Sequence, residues 1–176
     1  MTSSENIHLL TIGMMHTGLR NMINIMDKAK AQTRSSVPDL TELLEAKLHP
    51  NMFNLLQQLQ YMAYLSVEFA RHLADTAAPR VGYDETSWDE LCQSLNKAAE
   101  YLASVPVSKV EARASQVVPI FMADSKGMKL VEYAARVIVP DFHFHMVIAY
   151  GLLRHKGINI GKSDFLGALS TVELAK

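Results

Sequence analysis

The chain has a single cysteine, Cys92, among its 176 residues. One thiol excludes an intramolecular disulfide framework and fits a reducing compartment. Cys92 lies in the middle of a predicted helix, with no histidine near it in the sequence. We therefore interpret it as a small buried hydrophobic residue rather than as a nucleophile.

Long apolar runs and blocks of like charge are also missing. No segment reaches the roughly 18 consecutive apolar residues of a membrane span. The polar start, from Met1 to Ile7, does not have the basic residues and apolar run of a secretory signal. Lys and Arg number 17 against 18 Asp and Glu, whereas phosphate binding needs a basic stripe. These absences predict a soluble, cytoplasmic protein without a nucleic-acid or membrane partner.

Hydrophobic residues make up 49% of the chain and are sufficient for one core, so we predict one domain over residues 1–176. Apolar residues recur at helical spacing in four long segments. These segments are Ile7–Gln32, Asn51–Ala74, a third from the capping box Ser87 and Glu90 to about Ser104, and a fourth from about Met128 to Lys156. Four long helices with short connectors predict a four-helix bundle.

The region between the third and fourth helices, residues 107–130, loses the helical period. Residues 117–122 and 124–127 predict a short β-hairpin or an irregular flap. Pro119 restricts its first strand to an edge position.

Asp141 and His145 are the strongest chemical signal. They lie four residues apart, about one helical turn, so the carboxylate and the imidazole project from one face. Such a pair is typical of metal sites and of acid/base chemistry, because histidine titrates near neutral pH. It can also simply stabilise the helix. Pro140 is expected to kink or interrupt this helix, since the residue before a proline avoids the helical conformation, and Asp141 would then cap a fresh helical start.

The second long helix carries a polar stripe beside its apolar one. It comprises Gln57, Gln60, Tyr61, Tyr64, Glu68 and His72. One interpretation is a solvated face, and the other is a pocket wall with tyrosine hydroxyls and a carboxylate. Tyr61, Tyr64 and Glu68 are therefore candidate substrate contacts. His16, on the apolar side of the first helix, is another candidate or a histidine at the core edge.

Several motifs resemble an uncharacterised branch of the DinB/YfiT-like superfamily, a domain of unknown function found in bacteria and fungi. They are Pro50-Asn51-Met52-Phe53, then Gln57-Gln58-Leu59-Gln60, and the segment from Pro140 to Gly167 that closes with Gly161-Lys162-Ser163-Asp164-Phe165-Leu166-Gly167. The resemblance is loose over most of the chain and close over the last helix and tail. It implies an all-α DinB/YfiT-like four-helix bundle with a short β-hairpin or irregular flap before the last helix and an extended C-terminal tail. It also implies a pocket at one end of the bundle and a homodimer.

The resemblance also indicates where a metal would bind. Metal-binding relatives hold a divalent ion, such as zinc or nickel, with one histidine from helix two and two from the last long helix. On this chain the latter pair corresponds to Asp141 and His145, but the helix-two position falls near Leu65, which cannot ligate. Zinc sites normally use three protein ligands, so Glu68 or His16 would have to replace it. Three interpretations stay open: a metal site, a metal-free polar pocket without a cofactor, which we favour, and a structural Asp141 cap with a buried His145.

We therefore predict an intracellular enzyme that acts on a small organic molecule by proton transfer, as in isomerisation, dehydration or cyclisation. His145 would be the general acid or base, and Asp141 would orient it or share the proton. No nucleotide-binding motif or nucleophile elbow points elsewhere. The alternatives are a metal-dependent hydrolase or thiol transferase, as the resemblance suggests, and a non-catalytic protein that binds a small hydrophobic ligand or interacts through its helices.

Overall fold

Four long helical segments pack side by side in the computed structural model, which describes residues 3–33, 39–74, 76–120 and 125–174. The helices are α1 (Ser3–His8), α2 (Met14–Gln32), α3 (Leu40–Glu45), α4 (Leu55–Arg71), α5 (Trp88–Ala103), α6 (Val107–Arg113), α7 (Leu130–Tyr133), α8 (Val139–His155) and α9 (Lys162–Leu166). The π-helical turns Leu9–Gly13 and Ala134–Ile138 join α1 to α2 and α7 to α8.

The bundle consists of α2, α4, α5 and α8. Helix α4 packs against α5 and α8, and α2 closes the ring by packing against the same two helices. This arrangement confirms the predicted all-α bundle. Its core is dominated by leucine, methionine and alanine side chains, which fill helix interfaces adaptably. The α4–α8 seam is the part of the ring that positions the site described below.

The predicted helix boundaries are set by capping interactions. The capping box of Ser87 and Glu90 is present at the start of α5, as predicted. Asn54 and Gln57 form a second capping box that starts α4, later than the predicted start at Asn51. Helix α8 stops before Gly157, which takes φ = +90°, a conformation that glycine adopts readily.

The hairpin predicted before the last helix is confirmed. Strands β1 (Val117–Pro119) and β2 (Gly127–Lys129) are antiparallel, and Val118 pairs with Met128. Pro119 is the last residue of its strand, where its missing N–H disturbs the ladder least. Residues 121–124 of the predicted flap lie outside the described residues.

One expectation about the irregular segments was wrong. Residues 107–113 form the helix α6, which follows Pro106 and packs against α1. It is only seven residues long and buries one side chain, Val110, so it leaves no detectable period in the sequence. The predicted extended C-terminal tail is present, and it includes the short helix α9.

The expected interruption at Pro140 takes an unexpected form. The chain stays helical through Val139, whose φ and ψ are −66° and −45°, and the wider π-helical turn precedes the proline. Such a turn relieves the clash between a proline ring and the preceding carbonyls. No side chain caps the start of α8. The interpretation of Asp141 as a structural cap was therefore wrong.

The helix lengths and the single thiol bear on membrane spanning and on nucleophilic catalysis. No helix in the described part of the chain is long and apolar enough to cross a membrane. Burial, together with the negative charges of Asp27 and Asp89, raises the pKa of the Cys92 thiol to about 11. A thiol with this pKa is a poor nucleophile at neutral pH.

Replacing Gly82 with alanine is expected to destabilise the fold by about 3 kcal/mol or more. Gly82 has φ = +78°, and a Cβ there would lie 2.3 Å from the Gln60 carbonyl oxygen and 2.8 Å from the Tyr64 Cβ. Gly151 is the matched control, because it lies within α8 and a Cβ there meets nothing within 4 Å. Gly151→Ala should stabilise by about 0.5–1 kcal/mol. Urea unfolding gives the free energy of unfolding of both variants. A similar change in this free energy for Gly82→Ala and Gly151→Ala would contradict the tight packing at Gly82.

Candidate functional site

A cavity of about 240 Å³ lies between α4 and the segment that runs from α7 to the start of α8, and the end of β1 closes it. We call it the α4–α8 cavity. Its lining residues are Tyr64, Leu65, Glu68, Phe69, His72, Pro119, Ile120, Tyr133 and Ile138. Tyr64, Glu68 and His72 belong to the polar stripe of helix two, so this part of the stripe is a pocket wall.

The polar wall of the α4–α8 cavity combines groups of different charge. Burial raises the pKa of Tyr64, and Glu68 raises it further. Burial lowers the pKa of His72, against the opposing effect of Glu68. Glu68 pairs with Arg71 at 2.7 Å. The wall therefore presents the Tyr64 phenol, the Arg71-paired side chain of Glu68 and, at neutral pH, an uncharged His72 imidazole beside apolar side chains.

His145 lies further along the same α4–α8 seam and is only 7% exposed. Its ring is surrounded by three aromatic rings: the centroid of Tyr61 lies 4.5 Å away, that of Phe144 5.3 Å and that of Phe53 5.9 Å. Phe53 comes from the segment before α4, and its ring stacks on the imidazole at an interplanar angle of 28°. The imidazole is thus largely shielded from water.

Gln58 determines which nitrogen of His145 carries a proton. The Gln58 Nε2 group donates to the Phe53 carbonyl at 3.2 Å, which leaves Oε1 to face the His145 Nδ1 at 2.6 Å. An amide oxygen only accepts, so Nδ1 must be the donor. Rotating the amide would place two oxygens against each other at Phe53. In neutral His145 the unprotonated nitrogen is therefore Nε2.

Nε2 of His145 faces the carboxylate of Asp141. The distance from Nε2 to Oδ1 is 3.4 Å, longer than a direct N–H···O hydrogen bond. Burial lowers the pKa of His145, and the negative charge of Asp141 partly opposes this effect. The Asp141 side chain is 28% exposed, so the pair has a buried base and an accessible carboxylate.

Tyr61 connects this pair with the α4–α8 cavity. Burial raises its pKa, the negative charge of Asp141 raises it further, and ionisation of Tyr64 or Tyr133 would add to the effect. Tyr64 and Tyr133 line the cavity, whereas Asp141 belongs to the pair. The Tyr61 ring also lies 5.8 Å from the Tyr64 ring. The phenol of Tyr61 is therefore close to both parts of the site.

The structure brings together most of the residues singled out in the sequence, but not all. Asp141, His145 and Tyr61 form one cluster, and Tyr64 and Glu68 line the adjoining cavity. His16 is half-buried and does not line this cavity. Burial lowers its pKa, as does its neighbour Arg20, which donates to Asn96 on α5 at 2.8 Å.

Sequence reasoning missed Gln58 and Phe53 as site residues. Gln58 falls on the apolar stripe of α4, between Leu55 and Met62, and is 1% exposed. A buried polar residue needs a hydrogen-bond partner, so a glutamine on an apolar stripe was a usable signal. Phe53 belongs to the motif Pro50-Asn51-Met52-Phe53, and no sequence pattern connects it with His145.

The donor set does not fit the three-histidine metal centre that the resemblance implies. Among the described residues, no three histidine, cysteine, aspartate or glutamate side chains lie close enough to hold one ion. Gln58 and Tyr61 of α4 contact His145, and the Gln58 oxygen already accepts from Nδ1. Asp141 and His145 alone supply two ligands, fewer than zinc normally needs.

Replacing Gln58 with methionine is expected to move the proton of neutral His145 from Nδ1 to Nε2. Methionine has no strong acceptor for Nδ1–H, whereas the Asp141 carboxylate accepts from Nε2–H. Long-range ¹H–¹⁵N NMR spectra of both proteins above pH 7 distinguish the two tautomers. Gln93→Met changes an exposed glutamine of α5 and should leave the tautomer unchanged. An Nε2-protonated ring in the wild type would contradict the assigned hydrogen bonds.

Replacing His145 with asparagine is expected to reduce the acid sensitivity of folding. Because the native pKa of His145 lies below 6.5, the unfolded chain binds more protons between that pKa and about pH 6.5. The wild-type free energy of unfolding therefore decreases as pH falls below about 6.5. Over the same pH range, the free energy of unfolding of His145→Asn should decrease by a smaller amount. His16 and His72 have lowered pKa values in both proteins. Urea unfolding at several pH values measures the difference, and identical pH slopes would refute it.

The chain is similar to a known protein family and to a solved structure. A family model described as "Domain of unknown function (DUF1993)" matches residues 7–166. A crystal structure of a DinB family member protein from Shewanella denitrificans is similar with a TM-score of 0.88 and 28% identity, covering 97% of each chain. No curated protein matches. The resemblance based on the first residues of helix two and on the last helix is thereby confirmed, and the chain belongs to the DUF1993 family, with a DinB-like fold.

Proposed function

We propose that this protein is an enzyme that transfers a proton to or from a small organic molecule bound in the α4–α8 cavity. The observation that carries the proposal is the hydrogen-bonded chain from the Phe53 carbonyl through Gln58 to His145. It leaves Nε2 as the basic nitrogen and directs it toward Asp141. The reaction class is isomerisation, dehydration or cyclisation.

The size and lining of the cavity support a small substrate. Its volume of about 240 Å³ is slightly smaller than that of typical drug-sized ligand sites. Leu65, Phe69 and Ile138 provide an apolar wall, and the Tyr64 hydroxyl and the Glu68 carboxylate provide polar contacts. This lining suits a molecule of a few carbon atoms with one or two hydroxyl or carbonyl groups.

His145 would hold the proton on the protein side of the reaction. Its lowered pKa keeps Nε2 available as a base near neutral pH. Once protonated, the imidazolium keeps its Nδ1–H bond to Gln58, and the Asp141 carboxylate 3.4 Å from Nε2 stabilises the charged ring. Tyr61, whose raised pKa keeps its phenol protonated, has its ring centroid 4.5 Å from that of His145 and 5.8 Å from that of Tyr64 in the cavity wall. It would relay the proton between His145 and the cavity.

Solvent deuterium exchange tests this function before the substrate is known. The full chain is incubated in D₂O with a panel of small hydroxy and carbonyl compounds, and ¹H NMR detects the loss of C–H signals. We expect catalysed exchange for at least one compound. His145→Asn is the matched variant, because its amide N–H can still donate to Gln58 while the basic nitrogen is removed.

Exchange that continues unchanged in both His145→Asn and Tyr61→Phe would refute the assigned roles. Glu100→Gln serves as a control, because Glu100 is an exposed residue of α5 that does not line the cavity. It should exchange at the wild-type rate. A panel without any exchange, together with saturable binding at the apolar groove described next, would favour the second candidate function.

That second function is non-catalytic binding of a small hydrophobic molecule. An apolar groove of about 220 Å³ lies where α2, α8 and α9 meet, and Met14, Gly18, Met146, Phe165 and Leu166 contribute to its lining. Methionine side chains adapt to ligands of varied shape. This function predicts one-to-one binding of an apolar fluorescent dye that Leu166→Asp abolishes and His145→Asn leaves intact.

A further inference from the structure

A separate polar groove of about 320 Å³ lies between α5 and the loop before it. We call it the α5 groove. Arg80, Asp84 and Glu85 line it from the loop, and Glu90, Ser94 and Lys97 line it from one face of α5. None of these residues lines the α4–α8 cavity, so the groove is a distinct feature of the molecule.

Two unpaired polar atoms belong to side chains of the α5 groove. In the described part of the chain, three buried side-chain nitrogen or oxygen atoms have no hydrogen-bond partner, and two of them are Glu85 Oε2 and Ser94 Oγ. Ser94 is only 4% exposed. Buried polar atoms without partners are unusual because they lose hydration without compensation. Their presence in one groove makes the groove a candidate site for a ligand that carries hydrogen-bond donors.

The charge of Glu85 is maintained by its surroundings. Burial alone would raise its pKa, but hydrogen bonding, including that from the Gly82 amide to Oε1 at 2.8 Å, lowers the pKa below its usual value. The Ser94 hydroxyl contributes to this lowering and so lies beside the carboxylate. Neither Ser94 Oγ nor Glu85 Oε2 has a partner at hydrogen-bond geometry. The groove therefore holds an ionised carboxylate with one open oxygen.

The other carboxylates of the α5 groove are already engaged. Asp84 pairs with Arg80 at 3.2 Å. Glu90 accepts hydrogen bonds from the backbone of Thr86 and Ser87 in the cap of α5. A cation that enters the groove would consequently bind Glu85 rather than its acidic neighbours.

We propose that the α5 groove binds a small zwitterion of the α-amino acid class. Its ammonium group has three N–H donors, and Glu85 Oε2 and Ser94 Oγ are the two open acceptors. Its carboxylate would lie toward Lys97, one helical turn after Ser94 on the same face. Lys97 makes no ion pair with any other described residue. The proposal is independent of the proposed function.

Titration of the ¹⁵N-labelled full chain with L-alanine, followed by NMR, tests the proposal. We expect saturable shifts of the Gly82, Glu85 and Ser94 amides. Methylammonium should shift the same amides with lower affinity, and acetate should not shift Glu85 or Ser94. Glu85→Gln and Ser94→Ala should each weaken L-alanine binding at least tenfold. Lys97→Met should weaken binding of L-alanine but not of methylammonium, and the control Glu100→Gln should bind like the wild type.

Thermal unfolding without ligand gives an independent test. Ser94→Ala removes an unpaired buried hydroxyl, so its Tm should stay unchanged or rise. A Tm several degrees lower would show that the hydroxyl is bonded within the protein, and this result would overturn the proposal. Shifts that do not saturate, or that persist at wild-type affinity in both Glu85→Gln and Ser94→Ala, would overturn it equally.

Discussion

His145→Asn is expected to lower the catalytic rate by about 10²–10⁴-fold, the range associated with loss of a general acid or base. The variant lacks Nε2, the basic nitrogen left open by the Gln58 hydrogen bond at Nδ1. Binding should change little, because His145 does not line the α4–α8 cavity. Measurement of kcat and KM on the compound identified by deuterium exchange should therefore show an effect confined to kcat.

The pH dependence of the rate distinguishes proton transfer from a purely structural role of His145. The wild-type rate should rise with pH as the imidazole loses its proton, with a midpoint below 6.5, because burial lowers the pKa. Asp141→Asn removes the negative charge that opposes this lowering, so the midpoint should move to still lower pH. A rate profile that is identical in wild type and Asp141→Asn would contradict the coupling of the two side chains.

Phe142→Ala is expected to have the largest effect on stability, about 3–5 kcal/mol. Phe142 is completely buried, and its ring lies against Gly18, where an added Cβ would be 2.6 Å from a ring carbon. Truncation would leave a cavity at this close approach of α2 and α8. Urea denaturation measures the loss of stability. The midpoint urea concentration should fall, while the dependence of the unfolding free energy on urea concentration stays unchanged.

Phe144→Ala is the matched control for Phe142→Ala. Phe144 is two residues away in the same helix but is 53% exposed, so its truncation should cost less than about 1 kcal/mol. A second test combines Gly18→Ala with Phe142→Leu, because the smaller leucine gives room for the new methyl group. The double variant should be more stable than the sum of the single effects predicts. Equal losses for Phe142→Ala and Phe144→Ala would mean that α8 presents a different face to the core.

Local rules predicted the regular parts of this fold. The capping box of Ser87 and Glu90, the apolar periods of the four long helices and the stop at Gly157 depend on neighbouring residues, so they can be read from the sequence. The site depends on contacts between distant segments. Gln58 meets His145 across 87 positions, and one sequence contains no signal that pairs them.

Asp141 shows how a local rule can mislead. A carboxylate after a proline is typical of a helix start, and this led to the interpretation of a cap. The rule failed because the π-helical turn lets the helix continue through the proline. Helix propensities do not predict such turns, which are often associated with functional sites.

The π-helical turn Ala134–Ile138 also sets the rotational phase of the site. An α-helix turns by about 100° per residue, so Tyr133 and Asp141, eight positions apart, would otherwise point about 80° apart around the axis. The π-helical turn accommodates one more residue than an α-helical turn, so the eight positions cover the rotation of only seven α-helical steps. The angle between the two side chains is therefore about 20°. Tyr133 in the cavity and Asp141 beside His145 consequently share one side of the helix, and both act on Tyr61. A regular α-helix over residues 133–141 would break this alignment while leaving every side chain of the site in the sequence.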